Sequence, residues 1–276
     1  MVYTYLNIPI FRLENTPGKY DFQSDAIIID LEDGIHTNKK QQARALLGSL
    51  NLDTIECKIG IRINAINSID GIKDIEGVYD ILKSKKINIS FIQIPKVKTI
   101  ADVKLLSDIF FGFNLDLIPI IETIEGVNNM QEIASISDAM MFGQVDFINS
   151  LYSPNILLNS VSRANFCSIC SLYGIPAIDT AVFVNKDSIY NLDEFRKECI
   201  KSKNEGFVSK AVVHPDQVLI AKDVYQFKIE EIEHYKNIIQ SYYNSDQGFS
   251  ILNDVIIAPP FVSHAKMILN LLKIKY

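Results

Sequence analysis

DAIIIDLEDGI, residues 25–35, is the stretch that decides the fold: an apolar, mostly β-branched run breaks abruptly into Asp30, Glu32 and Asp33. A continuously apolar strand is what a parallel sheet covered on both faces requires, whereas a half-solvated antiparallel strand alternates. Seven further segments share that character: TYLNIPI (4–10), KIGIRIN (58–64), INISFIQIP (87–95), LDLIPIIE (115–122), DAMMFGQVD (138–146), PAIDTAV (176–182) and KAVVHP (210–215). Between them lie stretches of helical period, NKKQQARALLGSL, GVYDILKSKK, IADVKLLSDIFFG, VNNMQEIASI, ILLNSVSRANFCSICSLYG and LDEFRKECIKSKNEG, several with Asn or Asp caps and a closing Gly. Eight strands alternating with helices predict an α/β fold, a single (β/α)8 TIM barrel over 1–223. VYQFKIEEIEHYKNIIQSYYNSD and APPFVSHAKMILNLLKIK predict a C-terminal helical extension over 224–276, packed on the barrel or on a neighbouring subunit. A doubly wound sheet would alternate in the same way, but no G-x-G-x-x-G or G-x-x-x-x-G-K-[ST] follows any strand.

The 276 residues are 48% hydrophobic and 22% charged, enough for one large core and unlike a disordered chain. Lys and Arg total 27 against 33 Asp and Glu, a net charge of −6, so no general field draws the protein to nucleic acid or an anionic membrane. MVYTYLNIPIFRLE has no basic segment followed by a long apolar core, and apolar runs such as Ala26–Ile29 fall far short of the roughly 20 residues of a membrane span. The chain reads as cytoplasmic. Its four cysteines, Cys57, Cys167, Cys170 and Cys199, include one C-x-x-C pair. Neither a second pair nor a nearby His completes a four-ligand site, so Cys167 and Cys170 read as small buried apolar residues rather than a zinc or redox centre.

In a barrel the active site lies at the C-terminal ends of the strands. Strand two ends in Asp30-Leu31-Glu32-Asp33, strand three carries Arg62 and Asn64, and strand four ends in Pro95-Lys96. Strand five ends at Glu122 and strand six at Asp146, strand seven holds Asp179, and strand eight ends at His214-Pro215. Glu122 and Asp146 close neighbouring strands, where two hard oxygen ligands suit Mg²⁺ with waters and substrate completing its shell. Arg62 offers a planar donor fork for a carboxylate or a developing enolate oxygen. Each residue also has a structural reading: Asp33 and Asp146 as helix N-caps, Arg62 as a partner of Glu32 or Asp33, His214 as a loop-orienting residue rather than an acid or base. Lys96 supplies a positive charge at the rim or, as a lesser alternative, a Schiff base.

DAIIIDLEDGI, IGIRIN, IQIPKV, IPIIETIEGVNNMQEIA, MMFGQVDF, IPAIDTAV and GFVSKAVVHPDQV occur in that order, and together they resemble the HpcH/HpaI aldolase and citrate lyase β-subunit family from about residue 25 to 225. The resemblance implies a Mg²⁺-dependent TIM barrel that makes or breaks a carbon–carbon bond beside a carbonyl. It implies Glu122 and Asp146 as metal ligands and Arg62 as the carboxylate and enolate partner. The backbone around Gly143 would line the ligand site, with Asp30, Glu32 and Asp33 supporting the rim; by position at the strand ends Asn64, Gln144 and Val145 join the candidate ligand site, and Lys96, Asp179 and His214 the rim. A homo-oligomer, a trimer or hexamer, is implied as well.

Three departures from the family pattern narrow the chemistry. Gly143-Gln144-Val145-Asp146 stands where the family has G-A-E-D, so one neighbouring carboxylate is lost. Ala258, in Ile256-Ile257-Ala258-Pro259, falls where thioester-processing members carry an Asp. NIPIFRLENTPG replaces the usual V-P-G or V-P-A loop after strand one. The leading expectation is a Mg²⁺-dependent lyase or aldolase whose substrate or product is a 2-oxo acid of the pyruvate or oxaloacetate type, or a small acyl-thioester. A citryl- or citramalyl-thioester lyase subunit of a complex and a non-catalytic metabolite-binding barrel are the alternatives.

Overall fold

The computed structural model describes residues 1–14, 22–52, 55–181 and 191–276. Eight parallel strands run β1 (Thr4–Pro9), β2 (Ala26–Asp30), β3 (Lys58–Arg62), β4 (Ile89–Ile94), β5 (Asp116–Ile121), β6 (Met140–Phe142), β7 (Ala177–Thr180) and β8 (Ser209–Val212). They hydrogen-bond in sequence order, and Thr4–Leu6 pair with Lys210–Val212, which closes the barrel. Val182, the last residue of the expected seventh strand, lies outside the described residues.

The apolar runs conceal a period of two. Tyr5, Ala26, Ile28, Phe91, Ile118, Ile120, Met141, Ile178 and Ala211 form one cluster that fills the barrel. Leu6, Ile27, Ile29, Ile59, Ile61, Ile92 and Ile94 alternate with them and join the larger core beneath the surrounding helices. Gly60 on β3 makes room for the Phe91 ring, since a Cβ there would lie 2.0 Å from it. The Phe91 ring meets Tyr5 edge-on at 5.6 Å between centroids.

The helices are α1 (Phe11–Glu14), α2 (Lys40–Ser49), α3 (Ile69–Ser84), α4 (Ile100–Ile109), α5 (Ile124–Ala134), α6 (Gln144–Asn149), α7 (Ile156–Tyr173), α8 (Leu192–Glu205) and α9 (Pro215–Tyr225), with a 3-10 turn at Thr37–Lys39. Helix α3 starts well before the expected GVYDILKSKK because Ser68 caps it, its hydroxyl accepting from the Gly71 N–H at 2.9 Å. Thr123 caps α5 in the same way. Cys167 and Cys170 sit buried on α7 within the helix-side core, and burial pushes the Cys167 thiol up to about 12. Among the described residues no group of three His, Cys, Asp or Glu gathers as a metal cluster.

Strand six differs from its expected span. β6 stops at Phe142, and from Gln144 the chain is helical, so Asp146 lies in the first turn of α6 rather than at a strand end. Gly143 occupies the N-cap position instead of Asp146, and Asp33 caps no helix: His36 and Lys39 hold the positions before the 3-10 turn and α2.

Val2–Tyr225 form one compact unit and Gln226–Tyr276, with Met1, another. The second is not purely helical. Between α10 (Ile229–Tyr243) and α11 (Pro259–Leu271) runs a hairpin, β9 (Ser250–Leu252) with β10 (Val255–Ile257). Its two-residue turn, Asn253-Asp254, holds both φ angles positive at 50° and 62°, the signature of a type I′ turn that Asn and Asp tolerate. A helical period could not reveal so short a hairpin. Ile257 packs with Ile238, Ile239, Val262, Ala265 and Leu269 in the core of this unit. Among the described residues no helix is long and apolar enough to cross a membrane.

Candidate active site

A cleft of about 150 Å³ opens at the C-terminal ends of the strands. Ile28, Ile120, Met141, Ala181, Ala211 and Val213 make its apolar surfaces; Asn7, Asp33, Arg62, Gln93, Glu122, Asp146 and Thr180 are its polar ones. Glu122 follows β5 directly and is only 5% exposed. Its Oε1 accepts the Lys96 backbone N–H at 2.7 Å. Gly143 packs against its stem: a Cβ at 143 would lie 2.6 Å from both Cβ and Oε2 of Glu122, so a side chain there would displace the carboxylate. Burial, then the like charges of Glu32 and Asp146, push Glu122 up to about 8 against weaker help from Lys96.

Arg62 ends β3 at the cleft wall. Its Nε and Nη2 donate to the two oxygens of Asp30, each at 2.7 Å, and its Nη1 lies 3.4 Å from Glu32. Arg62 thus pairs first with Asp30, which the sequence did not offer as its partner, and second with Glu32, which it did. Asp30 is itself fixed by the N–H groups of Glu32 and Gly34 at 2.8 and 2.9 Å. Burial would raise its pKa, but the guanidinium and these donors hold it below the ordinary carboxylate value. Five guanidinium N–H groups less two to Asp30 and one toward Glu32 leave two for a ligand.

Lys96, at a positive φ of 55°, turns its ammonium onto Glu32 and, at 3.6 Å, Asp33. Burial works against its charge, but Glu32 and Asp33 overcome that and raise its pKa, the opposite of what a Schiff-base lysine needs. Glu32 is buried, and its carboxyl is pushed up by burial despite Arg62 and Lys96.

Asp30, Glu32 and Lys96 do not line the cleft themselves but contact Arg62 or Glu122, and four further expected residues do not line it either. Asn64 donates to Leu31 O and Asp74 Oδ2 at 2.9 and 2.6 Å, tying the start of the β3–α3 loop to β2. Gln144 accepts from Arg163 of α7 at 2.7 Å. Asp179 faces away from the barrel axis, into the layer between strands and helices, where Arg163 and Lys210 reach it at 2.7 and 2.6 Å. His214 sits beside Asp216 at the start of α9, 3.6 Å from its carboxylate. The sequence reading did not single out Asn7, Gln93 and Thr180, although the first two interrupt apolar strands with a carboxamide, which was the available signal.

The donor set fits Mg²⁺. Glu122 and Asp146 line one cleft and repel each other across it, which a divalent cation would reverse, and two carboxylates leave the open positions that Mg²⁺ fills with water and substrate. A closed cage of three or more such ligands would have suited it less well.

Several known proteins are similar to this chain. (3S)-malyl-CoA thioesterase of Cereibacter sphaeroides is 28% identical over 245 residues, covering 85% of this chain and 81% of that protein. Human mitochondrial citramalyl-CoA lyase is 25% identical over 248 residues, 81% of this chain and 70% of its own. The crystal structure of CitE from Mycobacterium tuberculosis with magnesium, acetoacetate and coenzyme A superposes with a TM-score of 0.74 at 21% identity, covering 99% of this chain and 98% of that one, which establishes the shared barrel. The model of the HpcH/HpaI aldolase/citrate lyase family matches residues 18–215, and the chain belongs to that family.

Proposed function

We propose that the protein is a Mg²⁺-dependent carbon–carbon lyase or aldolase that releases or condenses a 2-oxo acid of the pyruvate or oxaloacetate type. The observation that carries this reading is the pair Glu122 and Asp146 on one cleft with the Asp30-anchored Arg62. Glu122 and Asp146 would hold the ion, which when bound supplies Lewis acidity toward the carbonyl oxygen of the substrate.

The chain's own residues account for the rest. Cleaving the bond beside a carbonyl leaves negative charge on an enolate oxygen. Arg62 is a fixed positive charge at the cleft wall, and the remaining N–H groups of its fork are free to hold the substrate carboxylate or that oxygen. Asp30 prevents the guanidinium from swinging away, so its orientation is set before the substrate arrives. Lys96, with Arg62, offsets part of the negative charge of Glu32 and Asp33, which lessens their repulsion of an anionic substrate. The apolar floor of Ile28, Ile120 and Met141 excludes water from one side of the reacting centre.

Thioester chemistry is the second reading, favoured by relatives named for malyl-CoA and citramalyl-CoA. Ala258 weighs against it: this residue, at the N-cap of α11, supplies no carboxylate where thioester-processing members have one. A thermal-shift panel with Mg²⁺ plus pyruvate, oxaloacetate, glyoxylate or acyl-CoAs separates the readings. Stabilisation by Mg²⁺ with a 2-oxo acid is expected; a shift only with acyl-CoA would favour the thioester, and no shift with any of them a non-catalytic barrel.

A further inference from the structure

Two barrel strands carry the same three-residue pattern, an aromatic ring, an aliphatic residue and a carboxamide: Tyr5-Leu6-Asn7 on β1 and Phe91-Ile92-Gln93 on β4. Side chains two apart on a strand share a face. Tyr5 and Phe91 meet inside the barrel, so Asn7 and Gln93 belong to the next layer toward the C-terminal ends, and both line the cleft. An apolar residue at either position would extend the barrel core without requiring a partner. The chain instead places two amides above a floor of Ile28, Ile120 and Met141.

Neither amide is well satisfied. Asn7 is only partly buried, yet its Oδ1 is enclosed and has no hydrogen-bond partner, a condition that native structures seldom carry without a reason. Gln93 is 1% exposed, and its Nε2 donates at 2.8 Å to Met141 Sδ, a weak acceptor that a ligand oxygen would outcompete. Asp33, Glu122, Asp146 and Arg62 supply the cleft's full charges. The two amides therefore suit a neutral polar group on the substrate.

We infer that Asn7, assisted by Gln93, is a specificity-determining residue that hydrogen-bonds a hydroxyl group on the 2-oxo acid, so that the site prefers a hydroxylated substrate to one ending in a methyl group. A hydroxyl donates and accepts in one group. It is matched whichever end of the Asn7 amide a half-turn about its last torsion presents to the cleft. A site built around a substrate hydroxyl disfavours the analogue that lacks it, because the buried polar group is then left unpaired.

The inference rests on the 2-oxo acid reading, and its test distinguishes the two. Pyruvate and 3-hydroxypyruvate differ at one position, hydrogen against hydroxyl. Their affinities in the presence of Mg²⁺ are measured by calorimetry for the wild-type protein, Asn7→Leu and Asn7→Asp, with melting temperatures of the ligand-free proteins alongside. The wild type is expected to bind hydroxypyruvate roughly tenfold more tightly than pyruvate, the scale of one neutral hydrogen bond. Asn7→Leu abolishes that ratio while melting no lower than wild type without ligand, since the replaced amide oxygen had no partner to lose; Asn7→Asp, which keeps an acceptor, retains the preference. Equal wild-type affinities, or a preference that survives in Asn7→Leu, would overturn the role of Asn7 while leaving the 2-oxo acid reading intact. If neither acid binds, the 2-oxo acid reading falls and the inference with it.

Discussion

Two buried carboxylates of this barrel have opposite electrostatics. Asp179 is 1% exposed and Glu122 5% exposed, so burial raises the pKa of both. At Asp179 the ammonium of Lys210 and the guanidinium of Arg163 outweigh burial and pull it down to about 2. At Glu122 the nearby charges of Glu32 and Asp146 add to burial and push it up to about 8. A carboxylate whose counter-charge is built into the chain is complete without a ligand. One surrounded by further carboxylates in an open cleft is complete only with a cation. The contrast separates a structural cluster from a functional one more sharply than position at a strand end does.

The largest effect is expected where the compensation is internal. Asp179→Ala removes the anion that Lys210, with 0% side-chain exposure, and Arg163 share, leaving each with one carboxylate, Glu198 and Glu205, and unfolding calorimetry should register a loss of about 3 kcal/mol that Mg²⁺ does not restore. At Glu122 the sign reverses. Glu122→Gln removes a charge that folding disfavours, so stability holds or rises while Mg²⁺ affinity in calorimetry falls by at least tenfold.

Melting temperature against pH distinguishes the two carboxylates in a single protein. The Glu122 pKa rises from 4.5 to about 8 on folding, so its protonated form favours the fold: its contribution to metal-free stability is full below about 4.5 and is lost as pH climbs through about 8. Asp179 runs the other way: from an ordinary 3.8 it falls to about 2, so its contribution is present above 3.8 and is lost as pH falls through about 2. Glu122→Gln should flatten the decline between about 4.5 and about 8 and leave the acid limb of Asp179 unchanged. The smallest effect belongs to Gln144→Ala, which removes one hydrogen bond to Arg163 at about 1 kcal/mol and leaves Mg²⁺ affinity unchanged, because Gln144 faces the helix layer.

The architecture was legible because eight apolar runs separated by helical periods admit few arrangements, and the family resemblance covered the same stretch. The facing of individual side chains was not. A strand buried on both sides loses the alternation that tells inward from outward, so Asp179 looked like a rim residue although it points into the helix layer with Lys210. Asn64 followed a strand with the right chemistry, but the carboxylate of Asp74, ten residues on, claims its amide. Asp146 was placed on the cleft by a strand that in fact ends four residues earlier; α6 carries it there instead. The hairpin around Asn253-Asp254 was hidden because three-residue strands are too short for any period to register.

Whether Glu122 is a carboxyl held in readiness for a cation is tested most directly by counting protons. Mg²⁺ titrations at pH 7, run by calorimetry in two buffers of different ionisation enthalpy, give the number of protons released per ion bound. With Glu122 near 8, close to one proton should be released, and none by Glu122→Gln in whatever residual binding it shows. Tight Mg²⁺ binding with no proton release, or the same release from Glu122→Gln, would contradict the assignment of Glu122 as the ligand that the cleft is built around.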